Sequence, residues 1–445
     1  MDAFVVRGGR RLRGRVKING SKNAALPLMA AALLTDEPIT LENVPNLRDI
    51  ASMANLLETL GCQVHRGDPA TGGDPHRMTL QVTDASPCLA HYDIVRTMRA
   101  SICVLGPLLT KRGRARVSMP GGCNIGDRPV DLHLRGLQAL GARISLDEGY
   151  IVAEARQLKG AKVFLGGTFG STVLGTANLM SAAVLAEGTT VIESAACEPE
   201  VVDLARLLSA MGARIRGAGS PRITIEGVDR LHGTHHPVIP DRIEAGTFIM
   251  AAAITNGDVV IENCPTDALT AALDRLTEVG VELEPVVEPS DADPAAGDAD
   301  SMCQTVRVAS TRRLQPVQVV TQPHPGFPTD LQAQIMALLC LADGNSMITE
   351  KIFPDRFLHV AELLRMGARL IRNGPTVLVA GVHHLVGAPV MASDLRASAG
   401  LVLAGLAARG TTTVNRVYHL DRGYEMMELA LRSLGADIER INVSA

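Results

Sequence analysis

The stretch Leu179-Met180-Ser181-Ala182-Ala183-Val184-Leu185-Ala186-Glu187-Gly188-Thr189-Thr190-Val191-Ile192 decides the fold, because the chain carries it in more than one copy. Leu26–Leu41 reads LPLMAAALLTDEPITL, and Leu401–Val414 reads LVLAGLAARGTTTV. Each copy is a helix of small and aliphatic residues that runs into a turn and then a β-branched strand. The turns Asp36-Glu37-Pro38, Glu187-Gly188-Thr189 and Arg409-Gly410-Thr411 fall in register, as expected where Gly or Pro breaks a helix and a strand begins.

Downstream of each copy a second helix-period segment closes on a Gly. Six such endings occur: Leu60-Gly61-Cys62, Leu140-Gly141-Ala142, Met211-Gly212-Ala213, Val279-Gly280-Val281, Met366-Gly367-Ala368 and Leu434-Gly435-Ala436. A Gly in this position is the expected left-handed residue just past a helix. The order is therefore small-residue helix, turn, strand, variable loop, second helix, strand, repeated six times. Helices alternating this regularly with strands pack on sheets, and six units divide naturally into two lobes of three, with a cleft between lobes as the expected ligand site. The longest interval, Gly280 to Gly367, contains Pro285–Asp300, rich in Pro, Ala and Asp, which reads as a solvated insertion.

Composition agrees with an enzyme-sized globular chain. At 445 residues, two domains of roughly 200 residues each are expected. The chain is 46% apolar and only 2% aromatic, so Ala, Leu, Val and Ile must fill the interior. A net charge of −4 argues against a nucleic-acid or membrane surface and requires any anion site to be local. Met1–Arg7 lacks the apolar run of a signal peptide, and no apolar stretch reaches the ~20 residues of a membrane span, so the expected location is cytoplasmic. The eight cysteines include no Cys-x-x-Cys pair and no His at metal spacing, so most should be small buried hydrophobes.

Two positions of the repeat vary while the scaffold is kept, and variation on a constant scaffold points to binding. One is the start of the small-residue helix: Ser21-Lys22-Asn23, Arg96-Thr97-Met98-Arg99, Thr168-Phe169-Gly170-Ser171, Asp241-Arg242, Thr329-Asp330 and Asp394-Leu395-Arg396. Free N–H groups with Lys22, Arg99 or Arg396 beside them suit a phosphate or carboxylate, although Ser, Thr and Asp are equally ordinary N-caps. The other is the loop before the second helix, where Arg48, Arg128, Arg356 and Arg422 recur. Arginine's planar fork can grip two phosphate oxygens at once; the alternative is a solvated Arg paired with a neighbour such as Asp355 or Asp421. Cys123 lies in Met119-Pro120-Gly121-Gly122-Cys123-Asn124-Ile125-Gly126-Asp127-Arg128-Pro129, a glycine-rich loop in which Arg128 favours a reactive thiolate; the alternative is an inert structural thiol. Asp330 approaches its helix through His324-Pro325-Gly326-Phe327-Pro328 and reads either as a base or as a cap. His133 and His359 fall beside apolar residues and read as structural.

Taken together, Asn19–Pro27, Pro120-Gly121-Gly122-Cys123 with Arg128-Pro129-Val130-Asp131, Phe327-Pro328-Thr329-Asp330, Asp394-Leu395-Arg396-Ala397-Ser398 and Asp421-Arg422-Gly423-Tyr424-Glu425 resemble the enolpyruvyl transferase family over essentially the whole chain. The resemblance implies a two-domain inside-out α/β barrel with six βαβαββ-type units, three per domain. Residues 22–232 would form one domain; residues 1–21 and 233–445 would form the other, with the first strand crossing back. It implies transfer of enolpyruvate from phosphoenolpyruvate to the 3′-hydroxyl of UDP-N-acetylglucosamine in peptidoglycan synthesis, with no metal, no organic cofactor and no obligate protein partner. The catalytic set it implies is Cys123 as acid or covalent residue, Asp330 as base, and Lys22, Arg128 and Arg422 on phosphate and carboxylate. Asn23, Arg99, Arg128, Pro129, Val130, Asp131, Leu132, Thr168, Phe169, Gly170, Ile352, Arg356, Asp394 and Arg396 would contact substrate or complete its pocket. The Cys123 loop would act as a lid, and fosfomycin would alkylate Cys123. Three features depart from the family pattern: the Pro285–Asp300 insertion, the Thr168-Phe169-Gly170 segment, and Arg48 where Lys is common. The family branch that acts on shikimate 3-phosphate lacks a cysteine in this loop, which separates it from this chain; a non-catalytic binder would not need Cys123, Asp330 and Arg422 together.

Overall fold

A computed structural model describes residues 2–120, 130–168, 170–286, 303–310 and 313–442. Cys123, Arg128, Pro129 and Phe169, and residues 287–300 of the insertion, lie outside the described residues.

The described strands form six four-stranded sheets of one topology. In each, an edge strand runs parallel to a central strand, which continues through two antiparallel neighbours; Lys162–Phe164 beside Thr189–Glu193, then Arg222–Glu226 and Arg214–Arg216, is one example. In four of the six a buried helix comes between the two parallel strands, and after every central strand comes an amphipathic one, giving the βαβαββ order; in the other two the edge strand comes from elsewhere in the chain. Central strands bury alternate residues, as Thr189–Glu193 does through Thr190 and Ile192 and Thr376–Ala380 through Val377 and Val379, so one sheet face is covered there.

Two compact units result, one from Met1–Asn19 and Pro240–Ala445 and the other from the intervening chain. The edge strands are exchanged at the crossings. Arg13–Lys17, which precedes the first buried helix, pairs with Asp258–Cys264; Thr234–Pro237, which follows the Leu231-His232-Gly233 turn, pairs back with Ile39–Glu42. Asp2–Arg7 completes the last sheet between Thr411–Asn415 and Asp437–Asn442.

The first helix of each repeat is rich in small and apolar residues and largely buried, whereas the second presents one apolar stripe and lies over a sheet. All thirteen residues of Arg242–Ile254 and all eight of Gln332–Leu339 are buried. Both pack on Leu395–Ala407, and in the other unit Val173–Ala183 packs on Lys22–Ala31 and Leu105–Arg112. Small residues permit these crossings. A Cβ on Gly400 would come within 2.7 Å of the Ala333 carbonyl oxygen, and one on Gly106 within 2.3 Å of that of Asn178. The six repeat-ending glycines, Gly61, Gly141, Gly212, Gly280, Gly367 and Gly435, have φ between +80° and +106°, where an L side chain is strained. The buried cluster of the Gly20–Ile239 chain holds no aromatic residue, while that of the other unit takes in Phe4, Phe248, Phe327, Phe357 and Tyr424.

Candidate functional site

The candidate residues gather at the starts of the buried helices and in the loops that follow the central strands. Several helix starts are true caps. Ser21 Oγ accepts from Ala24 N at 3.3 Å, Asp241 Oδ1 from Ile243 N at 2.8 Å, and Asp394 Oδ1 from Arg396 N at 2.9 Å. Asp330 is different. It sits in the 3-10 turn Thr329–Leu331 and makes no cap bond; its carboxylate faces two guanidinium groups instead.

Arg356 Nη1 donates to Asp330 Oδ1 at 2.8 Å, and Arg396 donates to Oδ2 from Nε at 3.2 Å, with Nη2 3.1 Å away. One guanidinium on each oxygen fixes the carboxylate plane while its side chain stays 26% exposed. Arg396 is buried, over the ring of Tyr424 with its guanidinium carbon 5.5 Å from the centroid. Burial is the largest influence on Arg396 and opposes its charge; Asp330 and its other neighbours override it and hold the pKa above the usual arginine range. Among the described residues Arg396 Nη1 has no hydrogen-bond partner, so the cluster keeps a buried donor in reserve. Tyr424 Oη is in turn fixed by Gln334 Nε2 at 3.2 Å and Thr247 Oγ1 at 2.9 Å.

The acids adjacent to Arg356 and Arg422 turn to other arginines. Asp355 pairs with Arg372 at 2.7 Å, leaving Arg356 to Asp330. Asp421 is held by Arg440 at 2.5 and 3.0 Å, which anchors the turn Val417–Arg422 that carries Arg422. Ile352, half-buried, is held through its N–H by Glu350 Oε1 at 2.8 Å. His359 is buried, and that burial, reinforced by Arg356, pushes its imidazole down to about 4, so it is neutral at ordinary pH and packs rather than titrates.

In the other unit Lys22 opens its helix and extends Nζ to Asp49 Oδ2 at 3.2 Å, both side chains almost wholly buried. Asn23, next to it, is half-buried, and Arg48 is exposed. Arg99 begins the turn Arg99–Val104, which leads into the second buried helix. Asn178, buried in the third, ties this segment down: its Oδ1 accepts from Gly106 N at 2.5 Å, and its Nδ2 donates to the Ile102 carbonyl at 2.8 Å and lies 3.1 Å from His133 Nδ1. His133 lies on the helix Asp131–Ala139, so Asn178 fixes the Arg99 segment against the one that begins with Val130, Asp131 and Leu132. The exposed turn with Thr168 and Gly170 closes through Gly170 N to Gly167 O at 3.1 Å, and a Cβ on Gly167 would lie 3.1 Å from Leu132 Cδ1. Leu132 and the Thr168–Gly170 turn thus converge.

Asn178 and Glu350 carry no motif in the sequence; the signal available was a polar residue inside an apolar helix and an acid where other repeats have none. Burial pushes the thiols of Cys62 up to about 11 and of Cys103, Cys264 and Cys340 up to about 12, so these four are inert packing groups. No described helix is long and apolar enough to cross a membrane.

The family described as EPSP synthase (3-phosphoshikimate 1-carboxyvinyltransferase) matches residues 6–431. Proteins named UDP-N-acetylglucosamine 1-carboxyvinyltransferase from Nitratidesulfovibrio vulgaris strain DP4 and Myxococcus xanthus are each 51% identical, over 99% of this chain and of their own. Among solved structures, the enolpyruvyl transferase NikO from Streptomyces tendae superposes with a TM-score of 0.86 at 25% identity, covering 100% of this chain and 99% of its own. EPSP synthase from Acinetobacter baumannii shares the fold, with a TM-score of 0.73 at 18% identity over 99% of this chain and 100% of its own. With relatives half identical over nearly its whole length, the chain belongs to the UDP-N-acetylglucosamine 1-carboxyvinyltransferase family of enolpyruvyl transferases.

Proposed function

We propose that this chain transfers enolpyruvate from phosphoenolpyruvate to the 3′-hydroxyl of UDP-N-acetylglucosamine, releasing phosphate, in the cytoplasmic phase of peptidoglycan synthesis. The observation that carries the reading is the half-open Asp330 carboxylate held by two arginines, in a chain half identical to transferases of that name.

The acceptor oxygen attacks C2 of phosphoenolpyruvate and gives its proton to Asp330, while C3 takes a proton from Cys123, giving a tetrahedral ketal. C3 then returns a proton to the Cys123 thiolate, the bond from C2 to the phosphate oxygen breaks, and phosphate leaves the enol ether. In the covalent alternative, the Cys123 S–H adds across the double bond, sulfur to C2 and a proton to C3, and the acceptor oxygen then displaces the thiolate from C2 as Asp330 takes the hydroxyl proton. Lys22, Arg128 and Arg422 neutralise the phosphate and carboxylate as charge gathers on the intermediate. Arg356 and Arg396 stabilise the negative charge of Asp330 and aim it, which favours a carboxylate that accepts a proton only as the C–O bond forms. Asn23, Arg99, Val130, Asp131, Leu132, Thr168, Gly170 and Ile352, with Pro129 and Phe169, meet the nucleotide sugar, and Asp394 caps the helix that presents Arg396.

The product distinguishes this chemistry from glycosyl transfer. Mass spectrometry and proton NMR of the nucleotide fraction should show one enolpyruvyl group with vinylic protons on an intact UDP-sugar. Free UDP in its place would contradict the reading.

A further inference from the structure

Comparison between repeats isolates one residue beyond the catalytic set. The parallel ladders end at the pairs Glu42 with Pro237, Glu262 with Lys17, Glu193 with Phe164, Asn415 with Met391, Val117 with Ala90 and Thr349 with Val320. The next residues on the central strands are Asn43, Asn263, Ser194 and Arg416, all left-handed with φ of 56° to 60°, and then Ser118 and Glu350, which are not among the left-handed residues; of the six, only Glu350 is an acid. Asn43 and Asn263 fasten their edge strands by donating from Nδ2 to the carbonyls of Val238 and Ile18, at 3.0 and 3.1 Å. At Glu350 the polarity is reversed: Thr321 Oγ1, one residue past its own edge strand, donates to Glu350 Oε1 at 2.7 Å.

A donor that fastens one strand has become an acceptor that fastens several segments. Glu350 is fully buried, and Oε1 also accepts from Ile352 N at 2.8 Å and Phe353 N at 3.0 Å. Oε2 accepts from Thr329 Oγ1 at 2.9 Å. With its only proton committed to Glu350, the Thr329 hydroxyl turns its lone pairs to Arg356, whose Nη1 donates to it at 3.0 Å and to Asp330 at 2.8 Å. A carboxylate with two acceptor atoms can satisfy this set; an Asn, with one acceptor and one donor, cannot.

We propose that Glu350 is a positioning residue for the transfer reaction, setting the direction of the Asp330 carboxylate through Thr329 and Arg356 and holding the Ile352 segment with its other oxygen. The proposal rests on the function proposed above. Because the relay acts on a group that takes a proton in the reaction, its loss should appear in kcat more than in acceptor binding, whereas a purely structural bracket would show in thermal stability alone.

The test uses the full chain and steady-state phosphate release, with acceptor KM, pH profile and melting temperature measured alongside. Thr329→Val, which removes the hydroxyl and keeps the shape, should lower kcat by about 10–100-fold with acceptor KM within about threefold, a cost typical of a misaimed catalytic group. Thr329→Ser should restore kcat to within about threefold of wild type, and Glu350→Gln should lower kcat by about tenfold and displace the limb of the pH profile that reports the base. Wild-type turnover with kcat undiminished in Thr329→Val, or a loss that Thr329→Ser does not restore, overturns the positioning role. A wild-type chain that releases no phosphate with UDP-N-acetylglucosamine overturns the functional reading beneath it. Should Glu350→Gln fail to fold, the Thr329 pair decides.

Discussion

At the start of a buried helix the chain sets Lys22 in one unit and Asp330 in the other. Lys22 pairs with the carboxylate of Asp49, and both are almost sealed from water; Asp330 pairs with the guanidinium groups of Arg356 and Arg396 and keeps a quarter of its side chain exposed. The first arrangement is built round a cation, the second round an anion. A repeated scaffold therefore fixes where a functional group stands, while the sign and number of its partners decide whether it binds an anion or takes a proton.

Removing the charge of Asp330 is the most drastic way to break this comparison. Asp330→Asn should lower kcat by about 10²–10⁴-fold, the range of a lost general base, while calorimetry still detects UDP-N-acetylglucosamine binding. On the other side, Asp49→Ala strands Lys22 in a nearly dry site, and thermal or urea unfolding should record a loss of about 3 kcal/mol, the lower end for a buried charge deprived of its partner. A third helix start sharpens the contrast. Glu244, buried beside Asp241 with Asn19 N at 2.8 Å and Asn19 Nδ2 at 3.1 Å as donors, is pushed up to about 8, chiefly by burial. Its folded pKa is raised, so the stability it contributes is fully present below about 4.5 and is lost as the pH climbs through 8. Between pH 5 and 8 the slope should reach at most about 1.4 kcal/mol per pH unit, and Glu244→Gln should flatten the dependence of melting temperature on pH. An unchanged slope in that variant would assign the titration elsewhere.

Much of this architecture was legible because it depends on local rules. A glycine after each amphipathic helix and a largely apolar helix before each strand are required by backbone geometry and burial, so the six copies share one visible pattern. Arg356 and Arg422 stood out for the same reason, yet their partners did not: the adjacent acids, Asp355 and Asp421, turn to Arg372 and Arg440 instead. Adjacency in sequence is a poor guide where a turn sends consecutive side chains in opposite directions. Whether Asp330 caps its helix was open in the sequence, and only the approach of Arg356 and Arg396 settles that it does not. The exchange of Arg13–Lys17 and Thr234–Pro237 between sheets leaves no local trace, since either strand would suit either parallel partner. Glu350 was hidden for a related reason. Its donors come from residues 321, 329, 352 and 353, segments that only the closed sheet brings together.

The account as a whole turns on which acceptor this scaffold serves. Phosphate release from phosphoenolpyruvate, measured with the wild-type chain and UDP-N-acetylglucosamine and separately with shikimate 3-phosphate, tests it most directly. Steady release with the nucleotide sugar and none above background with shikimate 3-phosphate is the predicted result; release with shikimate 3-phosphate alone, or with neither, would contradict it.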